Sequence, residues 1–73
     1  MGKSKLGNRL KVARAEKNLS QEDLAGLVGV TRQTISSIET GQYCPSALLA
    51  FLLSKQFGKR VDELFFLDEG DNQ

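Results

Sequence analysis

Residues 21–40, QEDLAGLVGVTRQTISSIET, decide which fold this chain can adopt. With Gln21 as position one, the small residue Ala25 stands at position five and Gly29 at position nine. The apolar positions four, eight, ten, fifteen and eighteen hold Leu24, Val28, Val30, Ile35 and Ile38. A small residue lets two helices cross closely, and glycine adopts the left-handed backbone of a tight turn. The spacing therefore predicts two short helices that meet at Gly29.

These positions are those of a helix-turn-helix, and all seven are filled in register. In that motif the second helix projects from the body of the protein and can enter the major groove of DNA. Gln33 can form paired hydrogen bonds with adenine, and Arg32 can bind guanine or a phosphate. The predicted base-contact residues are Thr31, Arg32, Gln33, Ser36 and Ser37. The predicted contacts to the DNA backbone are Lys17, Asn18, Gln21, Thr40, Gln42 and Tyr43. The alternative for these polar residues is an ordinary solvated surface.

The segment before the motif is predicted to be an amphipathic first helix. Apolar side chains recur at helical spacing between Lys5 and about Lys17, namely Leu6, Leu10 and Ala13. Asn18 tolerates the left-handed conformation of a helix C-terminus, so we expect this helix to end there. Ser20 then begins the next helix, because its hydroxyl can accept from the amide three residues later. Thr31 is the corresponding cap of the third helix.

The segment after the motif predicts two more helices and a short strand. Ser46 can cap a fourth helix that runs to about Phe57 and ends at Gly58. A helical turn around residues 61–64 follows, and residues 65–67 are β-prone and apolar. The chain is therefore expected to alternate short helices with tight turns up to a C-terminal β segment.

Length and composition limit the class of protein. With 73 residues the chain forms one domain, 1–73, which we predict to be an all-α, compact five-helix unit with a core within about residues 5–67. Cys44 is the single cysteine and histidine is absent, so neither an internal disulfide nor a Cys/His zinc site can form. The Cys44 thiol is either inert or redox-sensitive.

The same composition argues against membrane and enzyme classes. No apolar run approaches the roughly 18 residues that cross a bilayer, so we expect a soluble cytoplasmic protein without a membrane partner. The sequence lacks a nucleophile beside a base, a phosphate-binding glycine loop and a metal cluster. We therefore expect no enzymatic activity, no cofactor and no metal, and the sequence makes no small-molecule ligand evident.

Charge is distributed unevenly along the chain. The formal net charge is +1, but residues 1–38 carry seven basic side chains, Lys3 among them, against three acidic ones. Residues 39–73 come out at −3 and end in an acidic tail that includes Glu69 and Asp71. A basic first half and an acidic tail suit a protein that meets a polyanion with one face. Ordinary surface charge explains the same distribution.

Four short segments between Leu10 and Phe65 carry a family resemblance: LSQ at 19–21, VTRQTI at 30–35, IETG at 38–41 and PS at 45–46. With them the chain resembles the phage-repressor/Cro-like (xenobiotic-response-element) helix-turn-helix family, and within it the compact cytolysin-repressor type. The resemblance implies a lambda-repressor-like fold, a homodimer and a bacterial host. It also implies a structural ion pair between Arg14 and Glu39, whose loss would destabilise the domain more than a surface change.

Three positions in the fourth helix depart from the family pattern: Leu48, Leu52 and Gln56, which replaces a commonly apolar residue. Leu48 and Leu52 stand one turn apart where polar residues are usual, so they share a stripe. Either the helix is rotated with a wider core face, or the stripe is an enlarged dimer interface or a contact site for an effector or another protein. The predicted dimer interface comprises Leu48, Leu52, Phe65, Phe66 and Leu67. Arg60 replaces the usual Ser or Thr cap of the fifth helix, which we expect to start loosely.

The function expected from these patterns is sequence-specific binding of double-stranded DNA by a transcriptional regulator. A homodimer would place its recognition helices, residues 32–40, about 34 Å apart and bind a pseudo-palindromic operator. Repression is the simplest output, since an occupied promoter blocks polymerase, and activation remains open. The alternative is an antitoxin-like or protein-interaction module that uses the same fold.

Overall fold

Residues 5–68 are the part of the chain that the computed structural model describes, and they contain five helices and two strands. The order is β1 (Lys5–Asn8), α1 (Leu10–Glu16), α2 (Gln21–Val28), α3 (Arg32–Glu39), α4 (Ala47–Phe57), α5 (Val61–Leu64) and β2 (Phe65–Asp68). The five helices occur in the predicted order. Lys3 and the acidic residues Glu69 and Asp71 lie outside the described residues.

The N-terminal segment is a strand where the sequence predicted the first turn of a helix. β1 pairs with β2 in antiparallel orientation, with Leu6 opposite Leu67 and Gly7 opposite Phe66. The predicted helical start at residue 5 is wrong because local periodicity cannot show that a partner strand lies at the other end of the domain. The fold is therefore mostly helical with a two-stranded sheet, rather than all-α.

Gly7 allows this sheet to hold a large aromatic side chain. A Cβ atom at position 7 would collide with the ring of Phe66 on the opposite strand. The guanidinium carbon of Arg9 lies 4.5 Å from the centroid of the same ring, which is a cation–π contact. The Phe66 side chain therefore lies between the backbone at Gly7 and the guanidinium of Arg9.

Capping geometry confirms the predicted helix boundaries in the motif. Ser20 Oγ accepts from the Asp23 amide at 2.9 Å, and the Asp23 carboxylate accepts from the Ser20 amide at 3.0 Å. Thr31 Oγ1 likewise accepts from the amide three residues later, at 3.2 Å. Asn18 has a φ of 55° and Gly29 a φ of 79°, so both adopt the left-handed backbone that the sequence predicted.

Helix α4 has the predicted ends, and α5 begins in an unexpected way. Ser46 caps α4, and Gly58 ends it with a φ of 64°. Arg60 supplies no hydroxyl cap, but the Glu63 carboxylate accepts from the Arg60 amide at 2.7 Å. The Arg60 guanidinium also donates to the Asp62 carboxylate, at 3.0 Å. The first turn of α5 is therefore fastened by carboxylates rather than starting loosely.

The core runs through the motif and under α4. Its buried apolar residues are Leu10, Ala13, Leu24, Ala25, Ile35, Ile38, Leu49, Leu53, Phe57, Leu64 and Phe65. Phe65 is only 5% exposed, so the prediction that its side chain lies at a dimer interface is wrong. Successive strand residues alternate between faces, and Phe65 faces the core while its neighbour Phe66 faces outward.

Residues 5–68 contain neither a membrane-spanning helix nor a cluster of metal ligands. No helix in this range has the length and apolar character needed to span a membrane. No group of three or more His, Cys, Asp or Glu side chains there could hold a metal ion. Cys44 is exposed in the turn before α4.

Gly26 and Gly29 provide a matched test of the turn. Gly26 lies inside α2, Gly29 has a left-handed φ of 79°, and an added Cβ meets no atom within 4 Å at either position. We expect Gly26→Ala to raise the free energy of unfolding by about 0.5–1 kcal/mol and Gly29→Ala to lower it by about 1 kcal/mol. Urea-induced unfolding of the two variants measures both changes. If both substitutions changed the free energy of unfolding in the same direction, the left-handed turn at Gly29 would be contradicted.

Candidate nucleic-acid interface

Helix α3 and its N-cap present polar side chains to solvent. The predicted base-contact residues are exposed or half-buried: Thr31, Arg32, Gln33, Ser36 and Ser37. On the opposite side of the helix, Ile35 is fully buried and Ile38 is 2% exposed. The helical repeat thus separates a face that packs on the core from one that is available for contact.

Local hydrogen bonds orient part of this polar face. Gln33 Nε2 donates to Ser37 Oγ, one turn later, at 3.3 Å. The Thr31 hydroxyl is engaged as the helix cap and also lies 3.1 Å from the Thr34 hydroxyl. Gln33 therefore lies along the helix surface, and a base could displace its exposed bond to Ser37 at little cost.

Gln21 connects the polar face to the interior of the motif. Its Nε2 donates to Glu39 Oε1 at 3.1 Å, and its Oε1 accepts from Arg32 Nη1 at 3.4 Å. The sequence predicted a contact between Gln21 and the DNA backbone, and the structure places its side chain half-buried between α2 and α3. In this arrangement Gln21 lies within reach of both Glu39 and the exposed guanidinium of Arg32.

Arg14 and Glu39 form a two-pronged ion pair between α1 and α3. Arg14 Nε donates to Glu39 Oε2 at 2.7 Å, and Nη2 donates to Oε1 at 3.1 Å. Arg14 Nη1 also donates to the Leu19 carbonyl at 2.9 Å. The two side chains are 14% and 7% exposed. Such a planar, charge-assisted pair fixes direction as well as distance.

The partners of Glu39 keep its carboxyl ionised. Burial by itself raises the pKa of Glu39, but hydrogen bonds from Arg14 and Gln21 and the positive charges of Arg14 and Lys11 outweigh it. The pKa is therefore lowered from its ordinary value of 4.5. The hydrogen bond to Glu39 is the main cause that raises the pKa of Arg14. Both groups are charged at neutral pH.

The other predicted DNA-backbone contacts lie in the turns before α2 and after α3. Lys17 and Asn18 are exposed in the first turn, and Gln42 and Tyr43 in the second. The Thr40 hydroxyl donates to carbonyl groups in the last turn of α3, at 3.1 and 3.2 Å. Thr40 thus already uses its hydroxyl proton within the helix, although it is exposed, as the other four residues are.

Three apolar side chains of α4 form an exposed stripe, the α4 stripe. Leu48 is 70% exposed, Phe51 65% and Leu52 39%. The core face of α4 consists of other apolar residues, Leu49, Leu53 and Phe57. These exposures contradict the interpretation of a rotated helix with a wider core face. Phe51 was missed by the sequence analysis, although it lies three residues after Leu48 and belongs to the same stripe.

A groove of about 360 Å³ borders the α4 stripe. Leu48 and Leu52 line one side of it, and Val28, Val30 and Tyr43 are among the other lining residues. None of its lining residues is charged. The exposed apolar surface of α4 therefore continues toward the turn of the motif.

Phe66 and Leu67 are exposed but lie on opposite faces of the sheet. They are 38% and 66% exposed, respectively. Neighbouring residues of a strand point to opposite sides, so the two side chains do not share one surface. We predicted both residues at one dimer interface, and the strand geometry places them on different faces of the sheet.

Residues 10–64 match a family model described as helix-turn-helix. That span contains all five helices, including both members of the Arg14–Glu39 pair. The chain belongs to the Cro/C1-like helix-turn-helix family. A relative in this family is an uncharacterized HTH-type transcriptional regulator of Methanocaldococcus jannaschii, 48% identical over 64 residues that cover 88% of this chain and 97% of the relative.

Two further comparisons agree with membership of the helix-turn-helix family. An uncharacterized HTH-type transcriptional regulator of Bacillus subtilis is 47% identical over 62 residues, 85% of this chain and 94% of the relative. Among solved structures, the restriction-modification controller protein of Aeromonas hydrophila superposes with a TM-score of 0.69 at 33% identity. That match covers 74% of this chain and 78% of the controller protein.

The lowered pKa of Glu39 predicts how stability depends on pH. The ionised carboxylate stabilises the fold above pH 4.5, and this contribution is lost as pH falls from there through the lower pKa of the folded state. As the pH falls below about 4.5, we expect the free energy of unfolding to decrease more steeply in the wild type than in Glu39→Gln. At neutral pH, Glu39→Gln should cost about 1–3 kcal/mol, because Arg14 loses its charged partner.

Urea unfolding at a series of pH values measures both effects. Glu22→Gln, a change at an exposed glutamate of α2, is the matched control and should keep the wild-type slope. If Glu39→Gln followed the wild-type pH profile, the carboxylate would not have the stabilising role assigned to it.

Proposed function

We propose that this chain is a sequence-specific DNA-binding transcriptional regulator that acts as a homodimer with α3 in the major groove. The observation that carries the proposal is the accessible polar face of α3, held in place by the Arg14–Glu39 pair and the turn at Gly29. Membership of the helix-turn-helix family supports DNA as the partner. The relatives named as transcriptional regulators support the regulatory role.

In the proposed complex, Gln33 and Arg32 read base edges. The carboxamide of Gln33 can donate and accept at once, which matches the major-groove edge of adenine. Arg32, whose Nη1 lies 3.4 Å from Gln21 Oε1, can bind guanine bidentately or reach a phosphate. Ser36 and Ser37 are short and allow the helix to approach closely, and Thr31 lies at the helix end nearest the groove.

The turns on either side of the motif helices would hold the DNA backbone. Lys17 contributes a positive charge, while Asn18, Gln42 and Tyr43 contribute polar groups that can bind phosphate oxygens. Such contacts fix the register of a protein on the duplex without reading sequence. Gln21 and Thr40 would add to this set through whichever groups their internal hydrogen bonds leave accessible.

A second copy of the chain is the proposed occupant of the α4 stripe. A chain of 73 residues is near the size at which oligomerisation often supplements a small core, and three adjacent exposed apolar side chains favour a contact surface. Phe66 or Leu67 would extend the contact from the sheet. A two-fold dimer would set its two α3 helices about 34 Å apart and bind a pseudo-palindrome.

Repression is the proposed output, because a dimer bound at a promoter excludes polymerase without any further domain. DNA binding implies a cytoplasmic location in a prokaryotic cell. A bacterial host remains the proposal, and the relatives come from an archaeon and a bacterium. We propose no enzymatic activity for this chain.

The α4 stripe also favours a second candidate function, an antitoxin-like or protein-interaction module. In that case the stripe would bind a different protein, and the face of α3 would have no DNA-reading role. The two candidates differ in which surface matters. For the interaction module, we expect substitutions of Gln33 to leave partner binding unchanged and substitutions of Leu48 to abolish it.

Selection from a random DNA pool tests the proposed function. We expect a pseudo-palindrome to be enriched, and Gln33→Ala to lose about 1–3 kcal/mol of discrimination at one symmetric pair of positions. The physical reason is the loss of a bidentate contact to one base in each half-site. Titration of the selected duplex and its single-base variants gives the discrimination directly.

Gln42→Ala is the matched control for Gln33→Ala, because the same side chain is removed from a predicted backbone contact. It should weaken binding to all duplexes by a similar factor. Enrichment of no sequence, with only weak and salt-sensitive binding, would show that the regulator proposal is wrong.

Substitutions in the α4 stripe test the homodimer. We expect Leu48→Glu and Phe51→Glu to raise the dimer dissociation constant at least about tenfold, because each buries a charge in the proposed interface. Sedimentation equilibrium measures the constant. Val12→Glu is the control, since Val12 is 57% exposed on α1, outside the stripe. A monomeric wild type, or an equal effect of Val12→Glu, would contradict the interface.

A further inference from the structure

The Asn8 carboxamide joins the beginning of α1 to the end of α3. Asn8 Oδ1 accepts from the Leu10 amide at 3.1 Å, and Asn8 Nδ2 donates to the Ile38 carbonyl at 2.9 Å. Asn8 and Ile38 are 30 residues apart in the sequence. One side chain therefore restrains two helix ends that belong to different parts of the chain.

Backbone pairing holds Asn8 in the position that this bridge requires. Asn8 lies opposite Phe65 in the β1–β2 sheet, and the following amide, that of Arg9, donates to the Leu64 carbonyl at 2.8 Å. Leu64 is fully buried and Phe65 is 5% exposed. The bridge is thus anchored on the core rather than on a mobile surface segment.

The Ile38 carbonyl favours an amide donor and disfavours a carboxylate. Carbonyl groups in the last turn of a helix carry partial negative charge. The Ile38 oxygen also accepts from the Gly41 amide at 3.0 Å, so two donors converge on it. Only a carboxamide can donate to Ile38 and accept from Leu10 in the same geometry. Aspartate would retain the second bond and replace the first with repulsion.

Asn8 and the Arg14–Glu39 pair together make two separate contacts between the α1 region and the end of α3. Two contacts at neighbouring α3 residues, Ile38 and Glu39, restrain the rotation of the helix as well as its distance. We propose that Asn8 is a positioning residue for DNA recognition, which sets the orientation of the α3 face that contains Gln33. This inference rests on the proposed function and adds to it a residue that touches no DNA.

Asn8→Asp is the decisive variant, because it separates the two hydrogen bonds of the side chain. It keeps an acceptor for Leu10 at the positive end of α1 and loses the donor to Ile38. We expect affinity for the selected operator to fall roughly threefold to tenfold, while affinity for random duplex changes by less than about twofold. We also expect the exchange rate of the Gly41 amide, which shares the Ile38 carbonyl, to rise roughly tenfold in the DNA-free protein.

Two controls separate positioning from general stability. Asn8→Ala removes both hydrogen bonds without placing a carboxylate against the Ile38 carbonyl, and it should change operator affinity and Gly41 exchange in the same direction as Asn8→Asp. Ser54→Ala removes a buried hydrogen bond from Ser54 to the Lys59 carbonyl, at the far end of α4. It should lower global stability without changing operator discrimination or selectively raising exchange at Gly41.

Each outcome decides the inference. If Asn8→Asp bound the operator as the wild type does and left Gly41 exchange unchanged, Asn8 would be only a cap for α1 and the inference would be wrong. If the wild type selected no DNA sequence, the proposed function would fail on its own. Gly41 exchange in Asn8→Asp would then still decide whether Asn8 holds the end of α3.

Discussion

The Glu39 carboxylate imposes the constraint on which the arrangement of the first three helices depends. Its side chain is only 7% exposed and accepts from Arg14 on α1 and from Gln21 on α2. Burying a carboxylate to this extent destabilises a fold unless hydrogen-bond donors compensate it. Since the donors come from α1 and α2, the three helices are stable together in one orientation. Apolar burial supplies most of the stability but little direction. The hydrogen-bonded charge fixes the orientation of α3 relative to α1 and α2.

Much of the fold was predictable because its signals are local. The caps at Ser20 and Thr31 and the left-handed turn at Gly29 depend on residues within four positions of each other, and each has the predicted geometry. The strand β1 was not predictable in this way. Leu6 fits a helical repeat as well as a strand, and its choice depends on a pairing with Leu67 across the whole domain.

How well the candidate interface could be predicted also depended on how far apart in sequence the contacting residues lie. Helical periodicity predicted which side of α3 is accessible, but not the bridges through Gln21 and Asn8, whose partners are distant in sequence. Helical periodicity also did not identify Phe51 as exposed. Helix α4 is apolar on nearly all sides, so its pattern does not indicate which side packs against the core. The burial of Phe65 followed from the register of the sheet, which the sequence did not specify.

The pairing of β1 with β2 has a consequence for how the protein is made. Lys5 lies opposite Asp68, so the first strand of the described chain pairs with the last. During synthesis, all five helices emerge from the ribosome before β2 is available. Until β2 has emerged, β1 has no partner strand, whereas the apolar side chains of the motif helices can already pack together. Closure of the sheet is thus a late, long-range event that joins the two ends of the domain only once residue 68 has left the exit tunnel.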